Sequence, residues 1–257
     1  MVRAFEGKVA LVSGAAKGIG LATAARFAQD GADIVALDLP GADLAALTQA
    51  VEGQGRRLIV TAGDVSTPEA WDAALAATDG AFGGLDILVN NAGIAGPFAP
   101  IDRYPIEAFD RVMAVNLRGP FLAIRAATPM LKQRRGTIVN VASTAGLGGG
   151  RLIAGYTASK HALIGLTKLA AVELASHGVR VNAVCPAPTD TDMMKSAETG
   201  RTEAENALIR RRFEADCPLG RYGEPAEIAA AIAFLAGADA GFVTGAILSV
   251  DGGVKAK

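Results

Sequence analysis

Short aliphatic or β-branched runs alternate along the chain with longer Ala-rich stretches whose apolar residues recur at helical spacing. The runs are KVALVS (8–13), ADIVALD (32–38), RRLIVTA (56–62), LDILVN (85–90), GTIVNVAS (136–143), VRVNAV (179–184) and AILSVD (246–251). Near-continuous apolarity in runs this short marks strands buried on both faces, and the amphipathic stretches between them are the crossover helices that parallel strands need. The pattern predicts a doubly wound, Rossmann-like α/β fold with a seven-stranded parallel sheet and helices on both faces, because right-handed crossovers leave few other arrangements. No linker, low-complexity tract or repeat interrupts the alternation, so residues 1–257 read as a single domain.

Composition adds exclusions. Hydrophobic residues make up 51% of the 257 positions, ample for one large core. The net charge of −1, with acids and bases interspersed, gives no nucleic-acid footprint and no basic membrane-facing surface, which leaves a small-molecule substrate as the expected partner. The densest basic run, Arg210 to Arg212, reads as a solvated helix face. Cys185 and Cys217 are too few and too isolated for a disulfide framework or a metal cluster. With no leader pattern at the start, the expectation is a metal-free protein of the reducing cytoplasm.

Candidate chemistry begins at SGAAKGIG (13–20), just after the first run. Gly14, Gly18 and Gly20, with Lys17 and Ile19 among them, fall in the first strand-to-helix turn. There backbone amides and the positive end of a helix hold a pyrophosphate if side chains stay out of the way. The spacing is G-x3-G-x-G rather than the usual dinucleotide fingerprint. Asp38 ends the second run 18 positions after Gly20, where a carboxylate accepts hydrogen bonds from the adenine ribose hydroxyls and repels a 2′-phosphate. That favours NAD, with NADP the lesser alternative. Lys17 pulls the other way, since a cation in the glycine turn can meet that phosphate; Asp38 weighs more because it faces the ribose itself.

YTASK (156–160) supplies a second cluster. Residues four apart on a helix share a face, so the Tyr156 phenol and the Lys160 ammonium address one small space. A phenol is a poor base at neutral pH, and a nearby ammonium favours its ionised form. The spacing alone arises by chance about once in ten sequences of this composition. Position strengthens it: GTIVNVAS ends at Ser143, and ligands in parallel sheets sit at the carboxyl ends of strands.

With these motifs the chain resembles the short-chain dehydrogenase/reductase family, of the compact type, over essentially its whole length from KVALVSGAAKGIG to VDGG (250–253). NNAG (90–93), NLRG (116–119) on a long helix, Ser143, YTASK and CPAPTDT (185–191) follow in the family's order. The resemblance implies a catalytic set of Asn116, Ser143, Tyr156 and Lys160. Tyr156 is the general acid and base, and Ser143 orients the substrate oxygen. Lys160 lowers the tyrosine pKa and holds the nicotinamide ribose, while Asn116 positions a water that links Lys160 to solvent. It further implies that Asp64 and Val65 sit at the adenine, with Asn90 or Asn91 near the adenine ribose or bracing the central sheet. Pro186, Thr189 and Thr191 then line the nicotinamide loop, and four copies form a homotetramer. The family's usual Pro-Gly after the sixth strand is here Pro186-Ala187, followed by Pro188, which puts the path of that loop and the contacts of Thr189 and Thr191 in question.

The resemblance also implies that segment 190–218 is a substrate lid, with Met193 and Met194 as adaptable apolar contacts. Leu147, Leu152 and Ile153 add an apolar wall beside Gly148 to Gly150, Phe98 closes the other side, and Arg151 either meets a carboxylate or is solvated. The resulting expectation is an NAD-dependent oxidoreductase that interconverts a secondary alcohol and its ketone. An NADPH-dependent 3-oxoacyl-thioester (acyl-carrier-protein) reductase and a non-catalytic dinucleotide-binding regulator are the alternatives.

Overall fold

The computed structural model describes residues 3–197 and 202–257. Strands β1 (Val9–Ser13), β2 (Asp33–Asp38), β3 (Leu58–Ala62), β4 (Ile87–Asn90), β5 (Thr137–Val141), β6 (Arg180–Pro186) and β7 (Ile247–Val250) coincide with the seven apolar runs. Helices α1 (Gly18–Gln29), α2 (Ala45–Glu52), α3 (Pro68–Phe82), α4 (Ile106–Met113), α5 (Gly119–Arg134), α6 (Ala154–Leu174), α7 (Asp192–Ala197), α8 (Glu203–Asp216) and α9 (Pro225–Ala236) lie between them. The sheet has seven strands in the order β3-β2-β1-β4-β5-β6-β7, and every pairing is parallel.

Alternation within each strand explains why the runs are apolar throughout. Leu11, Val35, Leu37, Leu88, Ile138 and Val181 point to one face, into a core shared with Trp71, Leu75, Leu122, Leu131 and Leu174 from α3, α5 and α6. Their strand neighbours Ala10, Val12, Ile34, Ala36, Val89, Val139 and Val184 point to the other face, against Phe27, Leu47, Ile228 and Ile232 from α1, α2 and α9. Both faces are covered, so neither can be polar. Between β1 and β4 the winding direction reverses, which opens a crevice at the carboxyl ends of these two strands. Among the described residues no helix is long and apolar enough to cross a membrane, and no group of three or more side chains could hold a metal.

Candidate active site

The glycine turn sits at that crevice, and its glycines serve two different needs. Gly14 (φ 66°) and Gly18 (φ 57°) occupy the left-handed region that L side chains avoid. Gly20 has no such backbone, but a Cβ there would lie 2.0 Å from the Gly14 carbonyl oxygen and 2.5 Å from Asn91 Nδ2. Asn91 Nδ2 donates to the carbonyls of Ser13 and Gly14 at 2.9 Å each, so its side chain pins the turn from below. Asp38 ties in from β2, with Oδ2 accepting from Ala16 N and Oδ1 from Leu39 N, both at 2.8 Å. Helix α1 begins with no side chain capping its first amides, which leaves them for an anionic ligand. A turn stripped of side chains, open amides and a carboxylate beside them fit a dinucleotide. Lys17 extends outward, its Nζ 3.5 Å from Asp192 on α7, with both side chains largely exposed.

Further along the strand ends, Asp64 accepts from Ser66 N (2.9 Å), Ser66 Oγ (2.7 Å) and Arg111 (2.8 Å). Burial pushes its carboxyl up, but the bonds from Ser66 and Arg111 outweigh that and hold it below the ordinary value. The Val65 carbonyl accepts from Trp71 Nε1 at 2.8 Å, and Val65 fills the space left by Gly119. Asn90 braces the sheet: its Nδ2 donates to Asn140 Oδ1 at 2.8 Å, and Asn140 donates to Thr167 on α6 at 2.9 Å.

The second cluster forms where β5 ends and α6 begins. Ser143 leaves β5 in an extended conformation, its hydroxyl accepts from Ala145 N at 3.1 Å, and it lies near enough to the Tyr156 phenol to draw that group's pKa downward. One helical turn beyond Tyr156, the Lys160 ammonium donates to the Val141 carbonyl at 2.8 Å and lies 5.5 Å from the centre of the Tyr156 ring. Burial pushes the Tyr156 phenol above its usual value, against the downward pull of Ser143, and draws Lys160 down to about 8.

Asn116 is not on a continuous α-helix. It lies in a π-helical turn, Ala114–Arg118, that joins α4 to α5. Such turns put an extra residue into the helix and redirect the side chains around it. Asn116 Oδ1 accepts from Ile94 N, and Nδ2 donates to the Ile94 carbonyl, both at 2.9 Å, and to Ser159 Oγ at 3.2 Å. This clamp holds the segment after β4 close to α6, and a Cβ on Gly93 would lie 3.3 Å from Asn116 Oδ1 and 3.6 Å from Lys160 Nζ. The glycine of NNAG therefore admits the backbone between Asn116 and Lys160. Sequence reasoning missed the Ser159 contact and the Val141 carbonyl; the first shows in the sequence only as a serine within YTASK, and a backbone acceptor carries no signal.

After β6, Ala187 keeps an ordinary negative φ, and the loop is held by pairing of Thr189 with Gly223. Gly223 N donates to the Pro188 carbonyl (3.0 Å) and Asp190 N to the Gly223 carbonyl (2.9 Å). The hydroxyls of Thr189 and Thr191 turn back onto Ala187 O (2.9 Å) and Thr189 O (3.2 Å), while the Thr191 methyl faces Gly18. Of the segment expected as a lid, 190–218, residues 198–201 lie outside the described residues. Within it Met193 is exposed and Met194 half-buried. The basic run is not wholly solvated, because Arg210 packs 4.6 Å over the Tyr222 ring and pairs with Glu214 and Asp190. Across the site Leu147 is exposed, Ile153 half-buried, and Leu152 holds a left-handed backbone (φ 67°) whose carbonyl accepts from Ala99 N at 2.9 Å.

Residues 14–255 match the family model described as enoyl-(acyl carrier protein) reductase. The chain is 41% identical over 253 residues to 2-(R)-hydroxypropyl-CoM dehydrogenase of Xanthobacter autotrophicus, covering 97% of this chain and 99% of that protein. It is equally 41% identical over 251 residues to the 3-oxoacyl-[acyl-carrier-protein] reductase of Thermotoga maritima, covering 97% and 98%. Among solved structures, NAD+-bound xylitol dehydrogenase superposes with a TM-score of 0.90 at 35% identity, over 96% of this chain and 98% of that one.

Proposed function

The chain belongs to the short-chain dehydrogenase/reductase family, and from that premise we propose that it interconverts a secondary alcohol and its ketone with NAD, Tyr156 moving the proton. The observation that carries the reading is the gathering of Ser143 and Tyr156, with the buried Lys160 ammonium over the tyrosine ring, just beyond the carboxyl end of β5. NAD, when bound, supplies the carbon that accepts or returns the hydride. Tyr156 takes the hydroxyl proton of the substrate in oxidation and gives it back in reduction. Ser143 holds the same substrate oxygen, and the Lys160 charge stabilises the phenolate form of Tyr156. Because the Asn116 side chain is spent on Ile94 and Ser159, its part is to set the position of Gly93 and Ile94 beside Lys160.

Gly14, Lys17, Gly18, Ile19 and Gly20 form the pyrophosphate turn in this proposal, with Asp38 at the ribose and Asp64 and Val65 at the adenine. Asn90 and Asn91 shape the site from behind through the braces described above. Leu147, Ile153 and Met194 are the proposed apolar walls, and Pro186, Thr189 and Thr191 carry the loop beside the nicotinamide. A homotetramer is part of the same reading, supported by the exposed apolar residues Phe121, Leu169 and Val172 on α5 and α6.

Asp38→Ser tests the cofactor assignment. Removing the carboxylate takes away both a ribose acceptor and the charge that opposes a 2′-phosphate, so the ratio of kcat/KM for NADP to that for NAD rises at least about tenfold. An unchanged ratio, or a wild type that already prefers NADP, removes the support for NAD and turns the reading toward the 3-oxoacyl-thioester reductase that the Thermotoga maritima relative is named for.

The pH dependence follows from the burial of Tyr156 and Lys160. With its pKa raised, Tyr156 is protonated at neutral pH, ready as an acid but not as a base. Alcohol oxidation therefore climbs with pH, by up to about tenfold per unit, and levels above about 8, where Lys160 gives up its charge. Ketone reduction stays level through neutral pH and falls on the alkaline side. Initial rates in both directions across pH check this, and oxidation that falls as pH rises through neutrality contradicts it.

A further inference from the structure

The segment after β7 forms a strap between residues 216–219 and the loop from Ser143 to Tyr156. Asp251 turns it back on itself, its two carboxylate oxygens accepting from Gly253 N (3.1 Å) and Lys255 N (2.9 Å). One side of the strap rests on the end of the lid. Leu219 N donates to the Gly252 carbonyl (3.2 Å), Gly253 packs against Pro218, and Lys257 Nζ donates to the Asp216 carbonyl (2.7 Å). The other side reaches the loop between Ser143 and Tyr156, where a Cβ on Gly148 would lie 2.7 Å from Lys255 Nζ.

Gly148 is not in the left-handed region, so its backbone does not call for glycine. What the missing side chain leaves is the space that the Lys255 ammonium fills. Among the described residues no carboxylate pairs with that ammonium, and Asp251, the acid nearest along the chain, spends both oxygens on backbone amides. On the lid side Asp190 is already paired with Lys195 and Arg210. Arg151, three residues beyond Gly148 on the same loop, is exposed and adds positive charge. A cation seated by its own turn, without a counter-ion, over the loop that runs from Ser143 to Tyr156 is placed to meet a negative charge on whatever those two residues hold.

We propose that Lys255 is a specificity-determining residue and that the substrate is a secondary alcohol, or its ketone, bearing an acidic group remote from the carbinol carbon. This rests on the alcohol-dehydrogenase reading above. The walls at Leu147, Ile153 and Met194 enclose the apolar middle of such a molecule, and Lys255 holds its anionic end. An exposed cation of this kind acts mainly on binding and is screened by salt, so it moves KM more than kcat.

The test compares a homologous series of straight-chain hydroxy acids, each with its alcohol next to the terminal methyl, with the corresponding methyl esters. Lys255→Ala raises the ratio of KM for the best acid to KM for its ester about fivefold. Lys255→Glu raises it further, Lys255→Arg restores it, and added sodium chloride raises it in the wild type alone among the Lys, Ala and Glu forms. Turnover of the esters with one ratio shared by Lys, Ala and Glu at position 255 overturns this inference and leaves the alcohol-dehydrogenase reading standing. A wild type that oxidises neither acids nor esters overturns both.

Discussion

Tyr156→Phe lowers kcat for alcohol oxidation about a thousandfold or more, while the dissociation constant for NAD changes far less. The substitution removes one oxygen from a half-buried ring, so packing is kept and the proton carrier is lost. General acid–base catalysis contributes about 10²–10⁴ in rate, equivalent to roughly 3–5 kcal/mol of barrier. Nothing nearby replaces it. The Ser143 hydroxyl is held by Ala145 N and lacks an adjacent base, and the Lys160 ammonium is turned toward the Val141 carbonyl. Steady-state rates of both proteins, with NAD binding followed by fluorescence, check the result. A variant that keeps a tenth of the activity places the proton transfer elsewhere.

Gly20→Ala abolishes the response to NAD. An added methyl would sit 2.0 Å from the Gly14 carbonyl and 2.5 Å from Asn91 Nδ2, far inside contact distance, and the first obstacle is backbone that cannot swing aside. Relief requires the glycine turn to move off Asn91, which breaks the bonds to Ser13 and Gly14 that shape the turn. Binding of NAD to the variant weakens at least about a hundredfold, and the rise in Tm that saturating NAD gives the wild type disappears, since ligand stabilisation follows the ratio of concentration to Kd. Thermal melts with and without NAD separate this from plain instability. A lowered Tm that NAD still raises by the wild-type increment contradicts the assignment.

The fold was legible because every strand is covered on both sides: Leu11 and Val12 face opposite cores, so the runs are continuous in the sequence and their ends coincide with the strand ends within a few residues. The glycines at 14 and 18 were legible as a turn, but the reason for Gly20, a collision with a carbonyl six residues back, exists only in three dimensions. Helical spacing put Tyr156 and Lys160 on one face, and the structure brings them together. The π-turn around Asn116 was not legible, because AVNLR has no composition that separates an inserted residue from regular helix. Nor was the environment of Tyr156. An ammonium four residues away suggests a depressed pKa, whereas burial is the larger influence and pushes it up. Lys255 was passed over for a similar reason, as its relation to Gly148 joins segments more than a hundred residues apart.

The central claim is direct hydride transfer from a secondary alcohol to NAD at the Tyr156 centre. Secondary alcohols carrying deuterium on the carbinol carbon, incubated with the wild type and either NAD or NADP, test it most directly. The account predicts deuterium in the reduced NAD, at a rate slower than for the unlabelled alcohol, and little product with NADP. Reduced cofactor without the label, or label appearing only in reduced NADP, contradicts it.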